Sequence, residues 1–121
     1  MFQVAIDKQQ NLLRISFSQQ VGRRETKRFR QRLEAILGEL QPGFQLLTDL
    51  SELESMDYGC APEIELAMEI CRQKGVAKVV RVVPDIEKDI GFTIMSFFHY
   101  GHGVPIVTCE TLGEATKVLS T

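Results

Sequence analysis

Two short apolar runs, at 44–50 (FQLLTDL) and 76–83 (VAKVVRVV), constrain this chain more than any other feature. Both are nearly continuous in apolar or β-branched residues and both are bounded by turn signals, so each reads as a strand covered on its two faces. Strands of that kind sit inside parallel sheets, where a crossover must carry the chain back before the next strand begins. A helix is legible between them. Pro62 suits its first turn, Glu63 and Glu65 suit its positive dipole end, and Ile64, Ala67, Met68 and Cys71 form one apolar stripe ahead of Gly75.

The rest of the chain extends that alternation. Val4 and Ile6, then Leu13, Ile15 and Phe17, alternate with period two across the polar break 8–11 and predict an antiparallel hairpin. From about Gly22 the period changes, and Phe29, Leu33, Ile36, Leu37 and Leu40 predict an amphipathic helix that stops at Pro42 and Gly43. The segment SELESMDYGCA reads as a loop. Beyond Pro84, residues 86–100 permit a helix that ends near Gly101 and Gly103. Residues 105–109 read as a strand, and Thr111 can cap a last helix through Glu114. The expected order is β-β-α-β-α-β-α-β-α, an α/β sandwich with a mostly parallel central sheet, an N-terminal antiparallel hairpin and about four helices. At 121 residues it forms one domain, 1–121.

Charge is unevenly spread. Arg23, Arg24, Lys27, Arg28, Arg30 and Arg32 crowd one short segment, whereas residues 33–71 hold no Lys or Arg and nine acids. A net charge of −2 gives no general attraction to nucleic acid or anionic lipid. The one aromatic residue within the basic segment, Phe29, belongs to the apolar stripe, which leaves no ring on the basic face to stack on bases, so a solvated helix face or an acidic protein partner accounts for them better. Three cysteines cannot all pair, and MFQVAIDK has neither a basic nor an apolar leader region, which points to the reducing cytoplasm. The longest apolar stretch, 90–98, is about half the length a membrane crossing needs, so no membrane insertion is expected.

Several groups carry candidate chemistry. Asp49 and Asp57 flank one loop and have the oxygen ligands that suit Mg²⁺; the alternative is that Asp49 accepts backbone N–H bonds and Asp57 caps the next helix. His99 and His102 with Cys109 make a thin zinc pattern against which a helix C-terminus satisfied by histidine weighs more. Cys60 precedes a helix N-terminus, which favours a thiolate, but Asp57, Glu63 and Glu65 oppose one. No paired base and nucleophile emerges, and neither a cofactor nor a metal is called for. Phe92, Met95, Phe97 and Phe98 crowd the 86–100 helix on more than one face, which suits a partner or dimer interface.

The segment LLTDLSELESMDYG resembles the signature of STAS domains, the fold shared by anti-sigma-factor antagonists and the cytoplasmic tails of sulphate transporters. In that family a buried strand ends in Asp-Leu-Ser, an apolar residue and a short loop follow, and Met-Asp-Ser-Ser-Gly precedes the next helix. Asp49-Leu50-Ser51, Leu53 and Met56-Asp57 match; Tyr58-Gly59-Cys60 stands where the family has Ser-Ser-Gly, so the phosphorylated serine is missing. The resemblance implies a non-catalytic regulatory module that presents loop 51–60 and adjacent helices to a protein. That partner is a kinase-type anti-sigma factor, another signalling protein, or a second copy in a homodimer. The partner-binding candidates are Ser51, Asp57, Tyr58, Gly59, Cys60, Phe92, Met95 and Phe98. The alternative function is a small-molecule or lipid-binding domain with an apolar pocket under helix 86–100, on the pattern of CRAL-TRIO-like proteins.

Overall fold

The computed structural model describes residues 1–83 and 103–119. The helix expected over 86–100, with Phe92, Met95, Phe97, Phe98 and the two histidines, and the pocket expected beneath it, lie outside these residues.

Strands β1 (Phe2–Asp7) and β2 (Leu12–Phe17) form the expected hairpin, running antiparallel from the pair Phe2 and Phe17 to the pair Asp7 and Leu12. Its turn is local chemistry: the Asp7 carboxylate accepts the Gln10 N–H at 3.2 Å, and Asn11 takes the left-handed conformation that its side chain tolerates. Asn11 also exchanges two hydrogen bonds with the Gln41 backbone, at 2.9 and 3.1 Å, tying the hairpin to the loop after the first helix.

Strands β4 (Gln45–Asp49), β6 (Lys78–Val82) and β7 (Ile106–Cys109) complete a five-stranded sheet in the order β1-β2-β4-β6-β7. Every pairing after the hairpin is parallel. The two apolar runs therefore occupy interior positions, as their lack of alternation requires: Leu46 and Val79 face one core, and Leu47 and Val80 the other.

Helix α1 (Arg23–Ile36) buries Phe29, Leu33 and Ile36, and α2 (Ala61–Lys74) buries Ile64, Ala67, Met68 and Cys71, all in the larger core. The opposite face is covered by α3 (Leu112–Leu119) through Ala115, Val118 and Leu119, with the Thr111 hydroxyl accepting the Glu114 N–H at 3.2 Å. Gly75 ends α2 in the left-handed conformation, φ 101°, its N–H bonding to the Cys71 and Arg72 carbonyls.

The sequence reading needs two corrections here. Helix α1 stops at Ile36, not at Pro42; a 3₁₀ turn over Leu37–Glu39 then keeps Leu37 and Leu40 in the core. The segment read wholly as loop contains β5 (Leu53–Met56), which pairs in parallel with β3 (Gln19–Val21) in a separate two-stranded sheet. Polar Gln19, Gln20, Glu54 and Ser55 conceal it, because this small sheet is held by backbone bonds and buries few side chains.

Candidate functional site

The site is the path from the end of β4 to the start of α2, at the carboxyl edge of the parallel strands, where ligands and partners of open α/β sheets meet loops. Leu50 anchors it: its side chain is buried and its N–H reaches the Val82 carbonyl of β6 at 3.0 Å. Asp49, turned to the other side, accepts the Ser51 N–H at 3.0 Å and so bends the chain out of the sheet. The Gln19 N–H then reaches the Glu52 carbonyl at 3.0 Å, and the Asp57 N–H reaches the Val21 carbonyl at 3.1 Å. The β3–β5 sheet fastens the path at both ends.

Asp57 organises the last turn. Its carboxylate accepts the Gly59 N–H at 3.1 Å and its carbonyl the Cys60 N–H at 2.9 Å, closing a 3₁₀ turn over Tyr58–Cys60 that runs straight into α2. Both aspartates thus serve the backbone of their own loop. With its polypeptide so fixed, the turn holds Tyr58 outward, 71% exposed. Gly59 allows a close approach: a Cβ there would lie 2.4 Å from Cδ of Arg23, whose side chain crosses the turn from the start of α1.

Cys60 departs from the sequence expectation of a partner contact. Its side chain is 0% exposed, packed in the main core with its thiol 3.7 Å from the Val21 carbonyl. Desolvation pushes the thiol pKa up, against a hydrogen bond with Thr26 that favours the thiolate, and nearby Asp57 adds to the rise. The helix N-terminus is outweighed by burial, and Cys60 is a packing residue. Val21, Arg23 and Thr26 were not legible as part of the site, because their link to it runs through β3, which carries no apolar alternation.

Ser51 is half-buried and lines a shallow groove of about 260 Å³ with Gln3, Ser16, Ser18, Asp49 and Glu52. A second groove of about 190 Å³ continues along the uncovered side of β1 and β2, past Arg14 and Ala5 to Leu112. Both are open, and their linings mix polar and apolar side chains. Among the described residues no three His, Cys, Asp or Glu side chains lie close enough to hold a metal ion, and no helix is long and apolar enough to cross a membrane.

No protein-family model matches the sequence, and no curated protein matches it. Solved structures do. The anti-sigma factor antagonist SpoIIAA in its unphosphorylated form superposes with a TM-score of 0.69 at 14% identity, covering 99% of this chain and 98% of its own. A DUF3478-family protein with a SpoIIAA-like fold from Shewanella loihica PV-4 gives 0.68 at 16% identity over 98% of this chain and 93% of that one. An anti-sigma factor antagonist from Mycobacterium paratuberculosis gives 0.59 at 16% identity over 100% and 96%. Order of strands, antiparallel hairpin and helical layers together give this chain the SpoIIAA-like α/β fold.

Proposed function

We propose that this chain is a regulatory protein-interaction module, a single domain that acts by binding and performs no chemistry of its own, working in the cytoplasm. It presents the turn at 57–60, the preceding Ser51 loop and the start of α2 to a signalling protein of the kinase-type anti-sigma factor class. The observation that carries this reading is the Asp57 turn: a backbone fixed by four hydrogen bonds, at Asp57, Gly59, Cys60 and Gln19, holds an aromatic side chain outward. A rigid exposed tyrosine gives contact area at low entropic cost, which is why such residues anchor interfaces. Support also comes from the fold, since two of the similar structures are anti-sigma factor antagonists.

The test is affinity capture from the native cytoplasm with the wild-type chain and, in parallel, Tyr58→Ala and Asp57→Lys, each checked for fold by circular dichroism. A protein held by the wild type and lost by both variants supports the reading. The same set captured by all three chains overturns it.

A further inference from the structure

Helices α1 and α2 lie side by side and are joined by an ion pair between Arg30 and Glu63, with Arg30 also bonded to Glu34 at 2.6 Å. Their outward faces are opposite in sign. On α1, Arg24, Arg28 and Arg32 stand at four-residue intervals with Arg23 and Lys27 beside them, all exposed and none in an ion pair with a described residue. Like charges four apart on a helix repel, so this face is unfavourable in the isolated chain. On α2 and its leading turn, Tyr58, Pro62 and Leu66 form an exposed row, with Tyr58 71% and Leu66 50% exposed, bordered by exposed Asp57 and Glu65 and by Glu69, whose carboxylate is already paired with Arg72 of the same helix at 2.5 Å.

We propose that these two faces together form a self-complementary surface on which a second copy of this chain docks, the cationic face of α1 meeting the acid-bordered apolar row of α2. A two-fold axis running between the helices along their length places α1 of one copy over α2 of the other, and the same operation supplies the reverse contact. Charge complementarity selects this occupant. An acidic foreign partner would satisfy α1 and leave Asp57 and Glu65, which pair with no described cation, unmatched, and a basic one would do the opposite; a second copy satisfies both. The apolar row supplies the burial, while the flanking charges set the register and the association rate. This surface includes the Tyr58 turn assigned above to a regulatory partner, so a second copy and that partner compete for it; self-association is read with no partner present, and a chain that stays monomeric can still bind one.

Sedimentation equilibrium of the full chain up to about 1 mM tests it, at about 0.05 M and about 0.5 M salt. The expected result is a dimer whose Kd rises at least about tenfold at the higher salt. The charge reversals R24E/R28E and E65K/E69K, each folded by circular dichroism, should each weaken self-association at least about tenfold at low salt. Mixed in equal amounts, they should regain a dimer, because in the mixed pair an acidic α1 faces a basic α2 and the native α1 faces the native α2. A wild type that sediments as a monomer throughout, or a mixture no better associated than either variant alone, overturns the proposal. So does an R24E/R28E variant that dimerises like the wild type but loses binding to a fluorescent single-stranded oligonucleotide, which would assign α1 to nucleic acid.

Discussion

Phe29 is the side chain through which α1 is seated on the sheet. It is 1% exposed, and its ring meets Phe17 of β2 edge-on at 4.9 Å and 67°, and Phe2 of β1 at 5.9 Å and 73°. Phe29→Ala deletes a whole buried ring, a change that costs about 3–5 kcal/mol when the cavity does not collapse. Collapse is hindered here, because two of the neighbours sit on paired strands whose register is fixed by the hairpin. An unfolding entropy of about 2.1 cal/mol/K per residue over 121 residues gives roughly 250 cal/mol/K, so Tm should fall by about 12–20 °C. The edge-on geometry is tested separately by a double-mutant cycle with Phe17→Leu and Phe29→Leu in urea. It should return a coupling of about 0.5–1.5 kcal/mol beyond the lost area. A loss below about 1 kcal/mol for Phe29→Ala, or additive leucine variants, would show that α1 is not held by this aromatic contact.

Three other outcomes are expected. Gly75→Ala should destabilise by about 1–2 kcal/mol in urea melts, because φ is 101° and the new Cβ would stand 3.2 Å from that of Pro42; unchanged stability would mean that α2 ends differently. Burial pushes the Cys71 thiol up to about 12 from 9.0, so its contribution is complete below pH 9 and is lost at roughly 1.4 kcal/mol per pH unit as pH rises through this window. Cys71→Ala should therefore show a flatter decline in stability above pH 9 than the wild type, and parallel curves would contradict the shift. Incubation with a kinase-type anti-sigma factor should leave the mass of segment 51–60 unchanged, since Tyr58-Gly59 replaces the acceptor serine; a stoichiometric phosphate between Ser51 and Tyr58 would show the switch working on a substitute residue.

The parts of this molecule legible in its sequence are those where side chains pay for the structure. Leu46, Leu47, Val79 and Val80 have to be covered on both faces, so the interior strands were readable, as were the hairpin from Val4 to Phe17 and the stripe of α2. Strand β5 was not, because exposed Glu54 and half-buried Ser55 give it no apolar alternation and its pairing with β3 rests on backbone groups that every sequence possesses. The end of α1 was misplaced because Leu37 and Leu40 continue the apolar spacing although the backbone has tightened into a 3₁₀ turn. At the site, Asp49 and Asp57 serve the loop by the kind of chemistry their residue types favour. Cys60 was placed at the partner surface because membership of loop 51–60 can be counted along a chain, whereas depth beneath Val21 and Thr26 cannot.

The two-stranded sheet of β3 and β5 has a mechanical consequence. Val21, which accepts the Asp57 N–H, is followed by one glycine and then by α1, while Asp57 is followed by one turn and then by α2. The first residues of both helices are thus riveted to a common crossbar that is separate from the main sheet. The aromatic tip and the cationic helix thus hang from one short backbone ladder, and the shortest hydrogen-bonded path between them runs through Val21 and Asp57 and not through the core of the main sheet.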